Sequence, residues 1–289
     1  MRSIDHFVLV AASLSAARER YRRLGFTVAP DGVHPFGTYN ANLYFRDGPM
    51  VETLAVHDPA KYADAVAAGN SFVRNDAAYR AALGDEGFSH VVATSSDAEG
   101  DHAAFLERGL SGGDLVCFSR EFEQPDGSVE TISAKLAFAT PAQAPFGCYV
   151  TCEDLLVPAI DRSSLLDHEN GALGAKRAVS CSREPSAYRA FLDRLFEPEE
   201  IRADARSVEC PLPNGRLSVV TPEALARDFG VTEGPSGAEL LHSGLVFDVT
   251  DLRKTEALLS ENRVAFARHE GRLVVRPSPG PFFAFEQRP

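Results

Sequence analysis

Two histidines recur at matching places in this chain. His6 and His90 each precede a glycine, Gly25 and Gly109, by 19 residues. Each sits in a short apolar run with the alternation of a strand. Period two places His6 on a face with Ile4, Val8 and Val10, and His90 on a face with Val92. Two acids accompany them. Glu52 alternates onto the face of Met50, Leu54 and Val56, and Glu153 onto that of Tyr149 and Thr151. A carboxylate on an apolar strand face is costly unless something pairs with it. A divalent cation pairs with carboxylate and imidazole together. This mixed nitrogen–oxygen set suits Zn, Fe(II), Mn, Co or Ni, with positions left for water or substrate. A second polar group, His34, Thr38, Asn40 and Asn42, falls between two strand patterns. Its residue types suit a turn and also a pocket lining. These four are the candidate substrate-binding residues.

The elements that must hold these residues repeat. Residues 4–10 read as a strand, and Ser13 caps an amphipathic helix with Leu14, Ala17, Tyr21 and Leu24 on one face. Strands are expected near 26–29, 41–45 and 50–56, with turns at Asp31-Gly32 and Asp47-Gly48. The same order returns at 88–94, a helix at 101–110, and strands near 115–121, 129–138 and 147–152. A third copy starts at 177–181 and a fourth at 244–249. The chain therefore reads as four strand–helix–three-strand units, an α+β arrangement with helices on one face of antiparallel-rich sheets. An insertion at 59–83 reads as two short helices. The domains are expected at 1–155 and 172–289, joined by a linker at 156–171. Nineteen residues before the matching helix ends of the second half stand Lys176 and Ser243, neither a metal ligand. Glu286 recurs there without a histidine partner, so the second half is expected to keep the architecture without the site.

Composition narrows the classes. The chain has 289 residues, 44% hydrophobic and 24% charged, as expected of a folded globular protein. Its longest apolar run, 7–12, falls far short of the roughly 20 residues of a membrane span. Net charge is −12, with 29 basic against 41 acidic residues and no basic run of note, so nucleic acid and anionic membranes are poor partners. Five cysteines without a C-x-x-C pair fit reduced thiols, and no signal-peptide layout opens the chain, which reads as cytoplasmic. Phosphate loops, G-x-G-x-x-G, G-x-S-x-G and H-E-x-x-H are absent. His57, His102, His168, His242 and His269 fall outside the pattern and are expected to be solvated.

The segments Ile4-Asp5-His6-Phe7-Val8-Leu9-Val10, His34-Pro35-Phe36-Gly37-Thr38-Tyr39-Asn40-Ala41-Asn42-Leu43 and Val51-Glu52-Thr53-Leu54, with the junction His168-Glu169-Asn170-Gly171-Ala172, resemble the vicinal-oxygen-chelate (VOC) superfamily, specifically its glyoxalase-like domain proteins. The resemblance implies four βαβββ modules in two tandem half-barrel domains of the glyoxalase/bleomycin-resistance/dioxygenase type. It also implies His6, Glu52, His90 and Glu153 as ligands of one metal in the first bowl. The second module departs from the pattern. Related chains often end this strand in a Cys-Gln-His-like segment, where this one has Cys152-Glu153-Asp154, so the fourth ligand is Glu153, Asp154 or neither. Two histidines and one carboxylate alone are the signature of non-haem Fe(II) oxygenases.

The leading expectation is a divalent-metal-dependent isomerase, epimerase or lyase acting on a small oxygenated metabolite, with Glu153 as the catalytic base. The rivals are an extradiol-type Fe(II) dioxygenase and a non-catalytic, resistance-type binding protein. A small-molecule substrate is the expected partner, and a homodimer is compatible with the sequence.

Overall fold

The computed structural model describes residues 1–123, 129–141, 144, 148–232, 234, 239–277 and 279–288. The first half of the chain makes one eight-stranded sheet. Its strands are β1 (Ile4–Val10), β2 (Asp31–Val33), β3 (Thr38–Leu43), β4 (Met50–Val56), β5 (Gly87–Thr94), β6 (Val116–Glu123), β7 (Val129–Ala139) and β8 (Cys148–Leu156), in the spatial order β2-β3-β4-β1-β5-β8-β7-β6. Each module contributes a mirror-ordered half. β1 pairs with β4 in parallel, β5 with β8 in parallel, and β1 with β5 antiparallel across the centre.

The second half repeats this order with β9 (Ala172–Cys181), β10 (Arg202–Ala203), β11 (Ser207–Leu212), β12 (Gly215–Val220), β13 (Leu241–Val249), β14 (Ala267–His269), β15 (Arg272–Val275) and β16 (Phe282–Gln287). The mixed sheets with helices form a VOC-type α+β fold, as the resemblance implied.

Local signals set the helices. Ser13 accepts from the Ala16 amide and starts α1 (Leu14–Arg23), whose Leu14, Ala17 and Tyr21 are buried. Gly25 ends this helix at φ 81, and a Cβ there would lie 2.2 Å from Leu258 and 2.9 Å from the Asn170 amide nitrogen. The insertion forms α2 (Pro59–Ala67) and α3 (Ser71–Leu83), and the second module's helix is α4 (Ala98–Glu107), which Asp97 caps and which starts three residues before the expected 101. The second half carries α5 (Arg189–Phe196), α6 (Pro222–Phe229) and α7 (Leu252–Glu261). No described helix is long and apolar enough to cross a membrane.

Three sequence expectations shift. Residues 26–29 are not a strand, and Asp31-Gly32 opens one instead of turning. The third copy's first strand begins at Ala172, five residues before the expected 177. Helix α6 occupies the place after β12 that α2 and α3 occupy after β4. Its Leu225 and Phe229 fill the second bowl with Val179, Val246 and Phe282.

The backs of the two sheets pack against each other. Phe7, Tyr21, Phe26 and Tyr149 of the first half share one core with Phe191, Phe247, Phe283 and Phe285 of the second. Tyr21 meets Phe283 edge-on at 6.1 Å, and Phe26 stacks on Phe285 at 5.9 Å. Asn214 closes the seam by accepting from the Ile4 amide at 3.0 Å and donating to its carbonyl at 2.7 Å. With the convex faces committed to this core and the second bowl filled by α6, the concave face of the first sheet is left open.

Candidate metal centre in the first bowl

Register breaks in the central strand pair arrange both histidines. Ile4 opposes Ala93 while His6 opposes Val92, so Asp5 is left over. Val8 opposes His90 while Leu9 opposes Phe88, so Ser89 is left over. A bulge re-aims the side chain at the extra residue. Asp5 thereby bonds His6 Nδ1 through its carboxylate, and the Ser89 hydroxyl lies 2.8 Å from His90 Nδ1. Because Ser89 Oγ donates to the Val8 carbonyl at 3.2 Å, His90 Nδ1 is the donor in this contact. Its Nε2 therefore carries the lone pair. That atom is buried and has no hydrogen-bond partner among the described residues.

Glu52 is buried at the centre of the polar wall. Its carboxylate lies 3.3 Å from His6 Nε2 and 3.7 Å from His34 Nε2, and accepts from Asn40 Nδ2 at 2.5 Å. Burial acts to raise the Glu52 carboxyl, but His6, His34 and Asn40 outweigh it and hold it down at about 2. Burial acts to lower His6, yet its bonds to Asp5 and Glu52 carry it up to about 10. His34 and His90 are pushed down to about 4 by burial and are neutral.

The bowl is a cavity of about 320 Å³ that includes His6, His34, Asn40, Asn42 and Glu52 in its lining. Thr38 does not line it but holds His34, its hydroxyl 2.9 Å from Nδ1. His90 lies beneath Phe72 of α3, the rings 6.2 Å apart and nearly parallel. Helix α3 is fastened there by buried Asp76, which accepts from the Tyr62 hydroxyl at 2.6 Å and from Arg80 Nε at 2.8 Å. Arg80 also donates to the carbonyls of Ala11 and Leu54.

The two modules are not chemically alike. In the first, His6 opposes Met50 and Val8 opposes Glu52; in the second, His90 opposes Cys148 and Val92 opposes Val150. Val150 thus holds the place that mirrors Glu52. Asn42 beside Glu52 is mirrored by Phe138 beside Val150, and Asn40 by Leu136. The bowl has one polar wall and one apolar wall.

Glu153 stands outside the bowl. Its carboxylate accepts from the Ala98 amide at 2.9 Å, at the start of α4. Cys152 and Asp154 line the cavity instead. The alternation that groups Glu153 with Tyr149 puts it on the convex face, because Cys148, Val150 and Cys152 belong to the bowl cluster. His168 and His242, expected to be solvated, are both buried. His168 Nδ1 accepts from the Thr27 amide at 3.0 Å, and His242 Nδ1 pairs with the Ser180 hydroxyl at 2.8 Å. Sequence reasoning also missed Asp5, Tyr44, Arg120 and Arg162 in the bowl lining. Arg120 was open to detection by period two, since it shares a face with Val116 and Phe118. Nothing local marks Arg162.

Among the described residues, no three His, Cys, Asp or Glu side chains are arranged to hold a metal ion as they stand. The donor chemistry nevertheless fits one. Each Nδ1 of His6 and His90 is held by an oxygen, which fixes ring orientation as in carboxylate–histidine–metal arrangements. A buried lone pair on His90 Nε2 and a buried carboxylate on Glu52 are the groups a divalent ion would satisfy. Among the described residues, the second bowl offers no such set. Arg177 bonds Ser218 at 2.7 Å and Glu209 at 2.9 Å, Arg272 bonds Glu286 at 2.6 Å, and both guanidiniums lie over the Phe229 ring.

Residues 4–196 match the family described as glyoxalase-like domain. The chain belongs to that family. The glyoxalase-like match takes in both modules of the first sheet and continues through β9 and α5. No curated protein matches the chain by sequence. Solved structures share the fold of this glyoxalase-like protein over both halves. A hypothetical protein from Staphylococcus aureus aligns over 100% of both chains, with a TM-score of 0.67 and 9% identity. A mutant 4-hydroxymandelate synthase from Streptomyces coelicolor covers 100% of this chain and 93% of its own, at 0.60 and 13%. A Mn(II)-bound glyoxalase from Novosphingobium aromaticivorans covers 99% and 83%, at 0.56 and 8%.

Proposed function

We propose that the first bowl is the active site of a divalent-metal-dependent enzyme acting on a small oxygenated metabolite, with His6, Glu52 and His90 as the protein donors. One observation carries this reading: two imidazoles from mirrored strands, each oriented through Nδ1 by the residue before it, share the bowl face with a buried carboxylate, His90 and Glu52 standing on either side of Val8. A bound ion would supply a Lewis acid for neighbouring substrate oxygens or, as Fe(II), an oxygen-activating centre. Asp5 and Ser89 keep the two rings in place, and Asn40 keeps the Glu52 carboxylate in place. Helix α3 and the apolar wall exclude water from one side. The place of a fourth acid is taken by Val150, and Glu153 is occupied at α4. A donor set of two histidines and one carboxylate favours oxygenation of a ring or side chain.

Isomerisation, epimerisation or lysis is the second reading, and Asp154 favours it. This carboxyl is raised by burial and by Asp5, which suits proton transfer at the bowl's rim. The base role expected for Glu153 passes to Asp154 in that reading.

The test is elemental analysis of tag-free protein beside a His6→Ala, His90→Ala double variant. Near-stoichiometric metal that is lost in the variant is the expected result. Iron then favours oxygenation, and Zn, Ni, Co or Mn the isomerase-type reading. A chain that carries no metal and takes up none of these ions would sink both and leave a ligand-binding bowl.

A further inference from the structure

We propose that the ligand of the first bowl carries a carboxylate, anchored by Arg120 with Arg162 as a second cation. The inference rests on the bowl being the ligand site. Arg120 projects from β6, at one edge of the sheet, and reaches the opposite edge. Its two terminal guanidinium nitrogens lie 3.0 and 3.2 Å from where a Cβ on Gly32 of β2 would stand. The glycine makes room for the guanidinium, and the bowl is closed there by a cation.

That cation is half-buried and has no carboxylate within ion-pair distance among the described residues. Apart from Arg162, the other half-buried arginines among the described residues are paired, among them Arg2 with Asp101, Arg20 with Glu86, Arg80 with Asp76, Arg177 with Glu209 and Arg272 with Glu286. Sequestering a charge from water is costly without a counter-ion, and an anionic ligand supplies one. Arg162 enters from the segment after β8 and lies over the Tyr44 ring at 4.8 Å. Asp154 is its acidic neighbour, beyond ion-pair distance.

Two features select a carboxylate. The guanidinium fork matches a planar carboxylate with two parallel hydrogen bonds. Asp5, Glu52 and Asp154 already line the cavity, so a dianionic phosphate would meet more repulsion than a monoanion. The body of the ligand is apolar, because Phe36, Phe72 and Phe118 cluster with centroids 5.1 and 5.6 Å apart on the adjoining wall.

Calorimetric titration of the full chain with benzoate, benzamide and phenyl phosphate tests this, first after chelator treatment and then with Mn(II) added. The metal-free arm removes any contribution of the ion to carboxylate binding. Benzoate is expected to bind about tenfold or more tighter than benzamide, the ratio of a charge-assisted hydrogen bond. Arg120→Ala should bring benzoate to the level of benzamide, Arg120→Lys should retain part of the preference, and Arg162→Ala should lower it less. Unchanged benzamide affinity in each variant shows that the bowl is intact. Equal binding of benzoate and benzamide, an unchanged ratio in Arg120→Ala, tighter binding of phenyl phosphate, or no binding at all would overturn the proposal. A benzoate preference in a chain that takes up no metal would leave this inference standing and remove the metal reading. Metal uptake with no carboxylate preference would do the reverse.

Discussion

Glu52 shows how a buried charge is held by its neighbours. The carboxylate is 5% exposed, yet three side chains keep it ionised. Asn40 acts on it only through a hydrogen bond, so it isolates that contribution. Replacing it with leucine leaves a buried carboxylate oxygen short of a donor. We expect Asn40→Leu to lose about 1–3 kcal/mol of stability in the metal-free chain, measured by urea unfolding. A change within a few tenths of a kcal/mol would mean that water reaches Oε1 and the wall is open. Asp5 and Ser89 show the same logic at the ring nitrogens. Each precedes its histidine by one residue, a spacing that alternation alone would send to the opposite face.

Strand register decides how many donors the proposed metal site has. Because β5 and β8 pair as β1 and β4 do, the position that mirrors Glu52 can be named, and it is Val150. Val150→Glu should therefore complete a set of two histidines and two carboxylates. Without metal, the added acid is buried against Phe138 and should lower the melting temperature. Added Mn(II) or Zn(II) should restore it, because an ion bound only by the folded state stabilises it. Equal destabilisation with and without metal would show that position 150 does not face the ion. Glu153→Gln, by contrast, should leave metal affinity unchanged, since that carboxylate serves the start of α4.

The seam between the two sheets makes the whole molecule sensitive to acid. His242 of β13 is buried there, 4.8 Å from the Phe88 ring and 5.4 Å from the Tyr149 ring. Burial, and then the nearby His90, push it down from 6.5 to about 3. Between those values the unfolded chain holds a proton that the folded chain does not. Its contribution is therefore fully present above about 6.5 and is lost as pH falls toward 3, by up to about 1.4 kcal/mol per pH unit. His34 and His90, lowered to about 4, act with the same sign. His6, raised to about 10, acts oppositely and loses its contribution as pH climbs from 6.5 to that value. Metal-free protein should thus be most stable near neutrality. Plotting unfolding free energy against pH, we expect His242→Gln to reduce the slope between pH 4 and 6 by about one proton. An unchanged slope would mean that the imidazole is reached by solvent.

Residue types and spacing alone marked His6, His90 and Glu52, because local alternation and a repeated strand–helix–glycine interval survive in one dimension. The modular α+β architecture was legible for the same reason. What the sequence left open depended on long-range pairing. Which face of β8 looks into the bowl is set by its partner β5, and that moved the fourth-donor question from Glu153 to Val150. Helix α6 escaped notice because its burial is decided by a bowl built from distant strands. Arg120 and Arg162 gain meaning only when two sheet edges and a connecting segment meet around one cavity. Local periodicity fixes which side chains share a face, whereas the closing of the sheet determines what that face encloses.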